Sequence, residues 1–209
     1  MLHIPILIIL ASYAIGCFST ARVVAKSAKS LNIYRVGTGH ADSENIYCNV
    51  SRPLGLLVGA IDAGKIYLWL LFIRWLLTHA FPVYADMPQV VEFSHRNWML
   101  VYGFMMIVGH TLPVTHKFKG GRGIFTYSGF VAYFALYPMA AVAALASFLL
   151  FRFHQVRFAQ YMIVLLPPIV IHICNRFFHA GYPSITHMLI AAILMGVLNF
   201  LVSKQKGEI

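Results

Sequence analysis

The chain has 209 residues, 60% of them hydrophobic and only 11% charged. A water-soluble globule does not carry that ratio, so the composition excludes a soluble enzyme and points to an integral membrane protein. Its net charge of +10 is accounted for by loop topology and anionic lipid headgroups, and no nucleic-acid partner is called for.

A crossing takes about 20 apolar residues, so the length suits roughly six or seven helices packed as one bundle, with residues 1–209 forming a single domain. The amino-terminal MLHIPILIILASYAIG lacks a basic leader and outruns a signal-peptide core, which predicts a retained first span over about 2–25. An inside loop follows, with VGTGH at 36–40 and then the polar run ADSEN. Pro53 opens a second helix, expected over about 53–79, which carries Asp62 and Lys65 three positions apart and so on one face. That pair either ties helices together or lines a substrate cavity, since an unpaired charge there is expensive. Arg74 is expected to reach for the outer interface beside Trp69 and Trp75, with Pro82 and Pro88 in the loop beyond.

The third helix, over about 97–112, ends at Pro113 with His110 at its inner end, where a histidine can cap a carbonyl, orient a loop or shuttle a proton. KFKGGRG, residues 117–123, comes next and packs three cations and three glycines into seven positions. A fourth helix over about 122–136 is too short to span and reads as a half-helix docked inside the bundle. Pro138 is expected to split the apolar run before a fifth helix over about 138–153; a sixth covers about 158–175, and a seventh, after Pro183, about 184–203. Cys17, Cys48 and Cys174 are odd in number and scattered, so neither a disulfide nor a metal site is suggested.

Loop charge orients the bundle. Arg22, Lys26, Lys29, Arg35, Arg52, Lys117, Lys119, Arg122, Arg152, Arg157, Lys204 and Lys206 fall on one side, and Arg96 and Arg176 on the other, with Asp86 and Glu92 beside Arg96. The amino terminus is therefore expected outside and the carboxyl terminus inside, which an odd number of crossings such as seven satisfies.

Glycines let backbone N–H groups turn inward around an anion, and Lys119 and Arg122 flanking Gly120 and Gly121 supply charge that amides lack. If the fourth helix starts near Gly121 to Gly123, its positive end points at the same spot. The stretch alone fits either a phosphate cradle or a flexible basic loop. A second glycine loop on the same face, with Gly37, Thr38, Gly39 and His40 followed by Ser43 and Asn45, favours one composite site for a phosphorylated compound.

YAIGCFSTARVVAK, VGTGHADSEN, DAGK and GHTLPVTHKFKGGRG resemble, in order and spacing, the bacterial acyl-phosphate:glycerol-3-phosphate acyltransferase family. The likeness runs to about residue 130 and then fades to hydropathy. It implies a seven-helix membrane bundle in the cell membrane, with an active site facing the cytoplasm. There an acyl group would pass from acyl phosphate to glycerol 3-phosphate, giving lysophosphatidic acid for phospholipid synthesis. It also implies phosphate binding by Lys119, Gly120, Gly121 and Arg122, with the family's GH and P at Gly109, His110 and Pro113. Acyl phosphate is already activated, so no serine nucleophile, metal or cofactor is expected. Lys119 and Arg122 would stabilise the departing phosphate, Thr38 and Asn45 would orient headgroups, and His110 or the substrate's own phosphate would take the hydroxyl proton.

The chain also departs from the family pattern VGSGNIGATN followed by Arg. It has Thr38, His40, Asp42, Ser43 and Glu44 in place of Ser, Asn, Gly, Ala and Thr, and Cys48 in place of the Arg; Gly37, Gly39 and Asn45 stay. Ala159-Gln160-Tyr161-Met162 stands where Ser-Leu-Gly-Ser is usual, and the carboxyl-terminal His-Arg-Glu-Asn-Ile segment is missing. Arg52, four positions after Cys48 and on the same face if the segment is helical, is the nearest replacement cation, with Arg35 second. A non-catalytic relative that binds a phospholipid or acyl phosphate, or an enzyme for another phosphorylated acceptor, is the alternative.

Overall fold

Backbone amides inside a bilayer have to be satisfied within their own segment, so apolar runs become helices. The computed structural model describes residues 2–84 and 86–205, and contains no strand among them; Lys206, counted above with the basic residues, lies outside them. In place of one helix over 2–25 stand α1 (His3–Gly16) and α2 (Thr20–Lys29). The break has a local and a distant cause. Extended Ser19 caps α2 by accepting from the Arg22 amide, and the freed Phe18 carbonyl accepts from Lys65 Nζ at 3.0 Å. The polar run after VGTGH is no open loop either, because Asp42 caps a short α3 (Ser43–Asn49) by accepting from the Asn45 amide at 2.9 Å.

α4 (Arg52–Trp75) continues through a π-helical turn, Leu76–Ala80, into α5 (Phe81–Tyr84). Pro82, expected in a loop, thus lies in a helix, and the wide turn ahead of it makes room for its ring and missing N–H. A 3-10 segment, Pro88–Ser94, leads to α6 (Arg96–Thr111). Then come α7 (Ile124–Phe134), α8 (Leu136–Phe153), α9 (Val156–Phe178) and α10 (Ile185–Gln205). The apolar run splits at Ala135 and not at Pro138, which sits in the first turn of α8 where a missing N–H costs nothing.

Six helical stretches among the described residues are long and apolar enough to cross a membrane, so the chain is an all-α, multi-pass membrane protein. α7, with 11 residues and a length of about 16 Å, is shorter than the hydrocarbon core. Glycines let the helices close up where packing and not water exclusion must hold them. α1 crosses α6 at Gly16 and Gly109, where a Cβ would run into the Met106 and Tyr13 carbonyls respectively, and Gly129 of α7 lies on the Ala63 backbone of α4. Trp69, expected at the headgroups, instead donates its indole N–H to buried Ser12 at 2.9 Å.

A small separate core of Ala21, Ala25, Ile33, Ala41, Ile46 and Val58 fastens α2 and α3 to the start of α4. It sits beside both glycine loops, at the bundle end that also holds His110 and Arg122. Arg74, Arg96, Tyr133 and His187 meet at the other end around one cavity.

Candidate active site

The VGTGH loop is shaped by two left-handed glycines and one amide. Gly37 and Gly39 have φ of +52° and +69°, a region that a side chain disfavours. Asn45 Nδ2 faces the carbonyls of Ile33, Val36 and His40 at 3.3, 2.9 and 2.8 Å, folding the loop onto α3. Asn45 is thereby a clasp for the loop. Thr38 is half-buried with its hydroxyl 3.4 Å from the His40 amide, and His40 is fully buried.

The second loop docks on the first. The Ala41 amide donates to the Gly120 carbonyl at 3.3 Å, Gly121 has no room for a Cβ against Ala41 and Asp42, and Gly123, at φ +75°, begins α7. Arg122 closes the junction. Its backbone amide donates to Asp42 Oδ2 at 3.3 Å, its guanidinium donates to Glu44, and the Gln160 amide donates to the same Glu44 oxygen. The Arg122 side chain is only 4% exposed, and Asn199 on α10 donates to its carbonyl. The cation assigned to phosphate from sequence therefore holds a carboxylate here.

Asp62, Lys65 and His110 form a second cluster behind the glycines. Lys65 Nζ lies 3.0 Å from Asp62, whose Oδ1 also accepts from Thr20 at 2.8 Å. The same ammonium is 3.0 Å from the Phe18 carbonyl and 3.2 Å from His110 Nδ1. Its three N–H groups are then all used, and donation to Nδ1 leaves the imidazole proton on Nε2, the nitrogen beside Gly121. His110 so held packs its Nε2 edge against Gly121, with Nδ1 already taken by Lys65.

Lys119 and Arg52 are exposed on the same end. The expectation that Arg52 shares a helical face with Cys48 is corrected: α3 stops at Asn49 and α4 begins at Arg52, so the two lie on different helices. They still sense each other. Burial, then the Glu44 and Asp42 carboxylates, push the Cys48 thiol above its usual range, while Arg52 and Arg122 pull it down.

Two clefts meet at this junction. One, of about 110 Å³, has Ser43, Glu44 and Gln160 at its polar head and Leu56, Ala143 and Ile163 along an apolar wall. The other, of about 370 Å³, runs between α9 and α10 from Arg122, Arg157 and Asn199 to Val164 and Phe200. Ile124 and Gln160 line both. Two polar heads with apolar tails, one holding Glu44 and the other its partner Arg122, suit reactants of which at least one carries an acyl chain.

The family model described as glycerol-3-phosphate acyltransferase matches residues 6–206. The chain belongs to that family. Glycerol-3-phosphate acyltransferases of Staphylococcus aureus strains JH9 and N315 are each 34% identical to it over 126 residues, 60% of this chain. That alignment spans 58% of the length of these curated relatives. The fold is similar to crystal structures of PlsY (YgiH), described as an integral membrane glycerol 3-phosphate acyltransferase. The glycerol 3-phosphate form gives TM-score 0.69 at 21% identity over 98% of this chain and 90% of that one. The lysophosphatidic acid form gives 0.65 at 20% over the same shares.

Within the family's frame, sequence reading left three side chains without a role. Thr20 holds Asp62, and Gln160 and Asn199 hold the Glu44–Arg122 junction. The signal for the last two was weak: Gln160 stands where the family pattern has its serine-rich turn, and Asn199 is a polar residue inside an apolar helix.

Proposed function

We propose that the chain is an acyl-phosphate-dependent glycerol-3-phosphate acyltransferase, a single domain in the cell membrane with its active site facing the cytoplasm. The observation that carries this reading is the docking of both glycine loops around Arg122, at the polar head of the largely apolar cleft between α9 and α10. Counting the short α7 as a crossing gives seven, with the amino terminus outside and the carboxyl terminus inside. The basic loops at the glycine-loop end support that orientation.

In the reaction, the acceptor hydroxyl oxygen attacks the acyl carbonyl carbon and the carbon–oxygen bond to phosphate breaks. The departing phosphate takes the bonding pair, and the hydroxyl proton passes to a phosphate oxygen. Because Lys65 already occupies His110 Nδ1, the substrate's own phosphate is the better acceptor, and His110 steadies the glycines that face it. Lys119 and Arg122 stabilise the charge that gathers on the leaving group, and aligning two bound reactants supplies the rest of the acceleration. The alkyl chain stays in the cleft or in lipid.

Glu44 favours a second reading. A carboxylate already seated on Arg122 opposes a dianionic acceptor, as expected of a relative that binds without turnover or has changed its acceptor. Incubating purified protein with acyl phosphate and glycerol 3-phosphate, and identifying the product by mass, separates the two. Lysophosphatidic acid supports transfer; binding of acyl phosphate with no acylated product supports the second reading.

A further inference from the structure

The bundle end away from the glycine loops holds another cavity, of about 600 Å³. Arg74 at the end of α4, His95 and Arg96 at the start of α6, Asn97, Tyr133 at the end of α7 and His187 on α10 line it, and no carboxylate does. Among the described residues neither arginine makes an ion pair. Arg96 gives one bond to the Gly181 carbonyl at 2.9 Å, and Arg74 lines the cavity beside Tyr133. A guanidinium has five N–H donors, so most of both forks stay available. His187 Nδ1 pairs with Ser184 at 2.6 Å, which leaves its Nε2 for another partner.

An apolar cleft of about 280 Å³ opens from the same place. It shares Asn97 and His187 with the polar cavity and runs between α6 and α10 over Leu100, Phe104, Phe130, Ile190 and Leu194. A cationic, hydrogen-bonding chamber joined to a chain-sized apolar slot is the negative image of an anionic amphiphile.

We propose that this joined cavity and cleft bind an anionic, acyl-chain-bearing membrane lipid, with its phosphate on Arg74 and Arg96 and one chain between α6 and α10, at the membrane face opposite the acyl-transfer site. A free phosphate would satisfy the arginines and leave the slot unfilled, whereas each buried methylene of a lipid adds affinity. A zwitterionic lipid would bring its own cation against two arginines. The site stands apart from the transfer chemistry, sharing no lining residue with either cleft at the glycine loops.

Native mass spectrometry of the full chain in detergent, titrated with dioctanoyl phosphatidylglycerol, dioctanoyl phosphatidylcholine or inorganic phosphate, tests this directly. The expected result is one tightly held phosphatidylglycerol, weaker phosphatidylcholine, and little competition from inorganic phosphate. Replacing both charges, Arg74→Gln with Arg96→Gln, should weaken that lipid by about tenfold or more. Filling the slot with Leu194→Trp should weaken it too without touching a charge. Melting profiles of both variants, recorded without added lipid, show that each still folds. Phosphatidylglycerol binding unchanged in both folded variants, equal binding of phosphatidylcholine, or displacement by inorganic phosphate at concentrations similar to the lipid's would each overturn the proposal.

Discussion

Arg122 and Glu44 set the character of the site. Both side chains are largely out of water, at 4% and 13% exposed, so their attraction is little screened and neither is easily left alone. On the proposed function, an incoming phosphate has to take Arg122 from Glu44 and expose that carboxylate to a second negative charge. Glu44→Gln keeps the shape and a hydrogen bond but removes the charge, so it should lower the KM for glycerol 3-phosphate several-fold, with kcat kept, in the mass-resolved transfer assay. An unchanged or raised KM would show that Glu44 does not compete with substrate. The glycine motifs and their cations were legible in the sequence because backbone freedom and charge are written in residue type. The Arg122–Glu44 contact was not, since it joins positions 78 apart and no local pattern encodes such a pair. Asn45 could be picked out as a motif residue, yet its grip on three carbonyls is a property of the folded loop.

Among the elements, the long helices were readable because about 20 apolar residues in a row have few other fates in this composition. Expected boundaries for the third and seventh helices fall within about two residues of α6 and α10, where Pro113 and Pro183 mark the ends. The break between α1 and α2 escaped notice because Phe18 and Ser19 are not breakers. It is held by Lys65 reaching the Phe18 carbonyl from another helix. α3 is a single short helix announced by little more than its Asp42 cap. Close helix crossings are a further element-scale feature with a sharp consequence. A Cβ at Gly109 meets the backbone of α1, which cannot swing aside as a side chain would, whereas nothing lies within 4 Å of one at Gly64. Gly109→Val should destabilise the bundle by about 1–3 kcal/mol, seen as a lower melting temperature in detergent, and Gly64→Ala should be neutral or slightly stabilising. Equal melting of the two variants would mean that the α1–α6 crossing is looser than described.

Taken as a whole, the molecule has two chemically different ends. Glycine loops, a buried ion pair and two lipid-suited clefts gather at one end, and a carboxylate-free basic cavity at the other. Cysteine access tests the orientation. Cys17 is buried and Cys48 exposed at the glycine-loop end, so a Cys174→Ser background leaves Cys48 as the accessible thiol. Because that thiol is held high, labelling belongs at mildly alkaline pH, where more of it is thiolate. A membrane-impermeant maleimide should reach Cys48 in inverted vesicles and not in intact cells; the opposite pattern would reverse the bundle.

The central claim is that KFKGGRG binds a reacting phosphate, and exposed Lys119 reports on it with the least structural side effect, since it is not part of the buried pair. The deciding measurement is kcat/KM for acyl phosphate and glycerol 3-phosphate in the parent, in Lys119→Ala and in Lys29→Ala, an exposed lysine at the end of α2. Loss of a charge-assisted phosphate contact predicts a fall of roughly ten- to a hundred-fold, about 1.5–3 kcal/mol, for Lys119→Ala, and no material change for Lys29→Ala. Equal, small effects in both variants would contradict it, and would reduce KFKGGRG to a basic loop that only sets the topology.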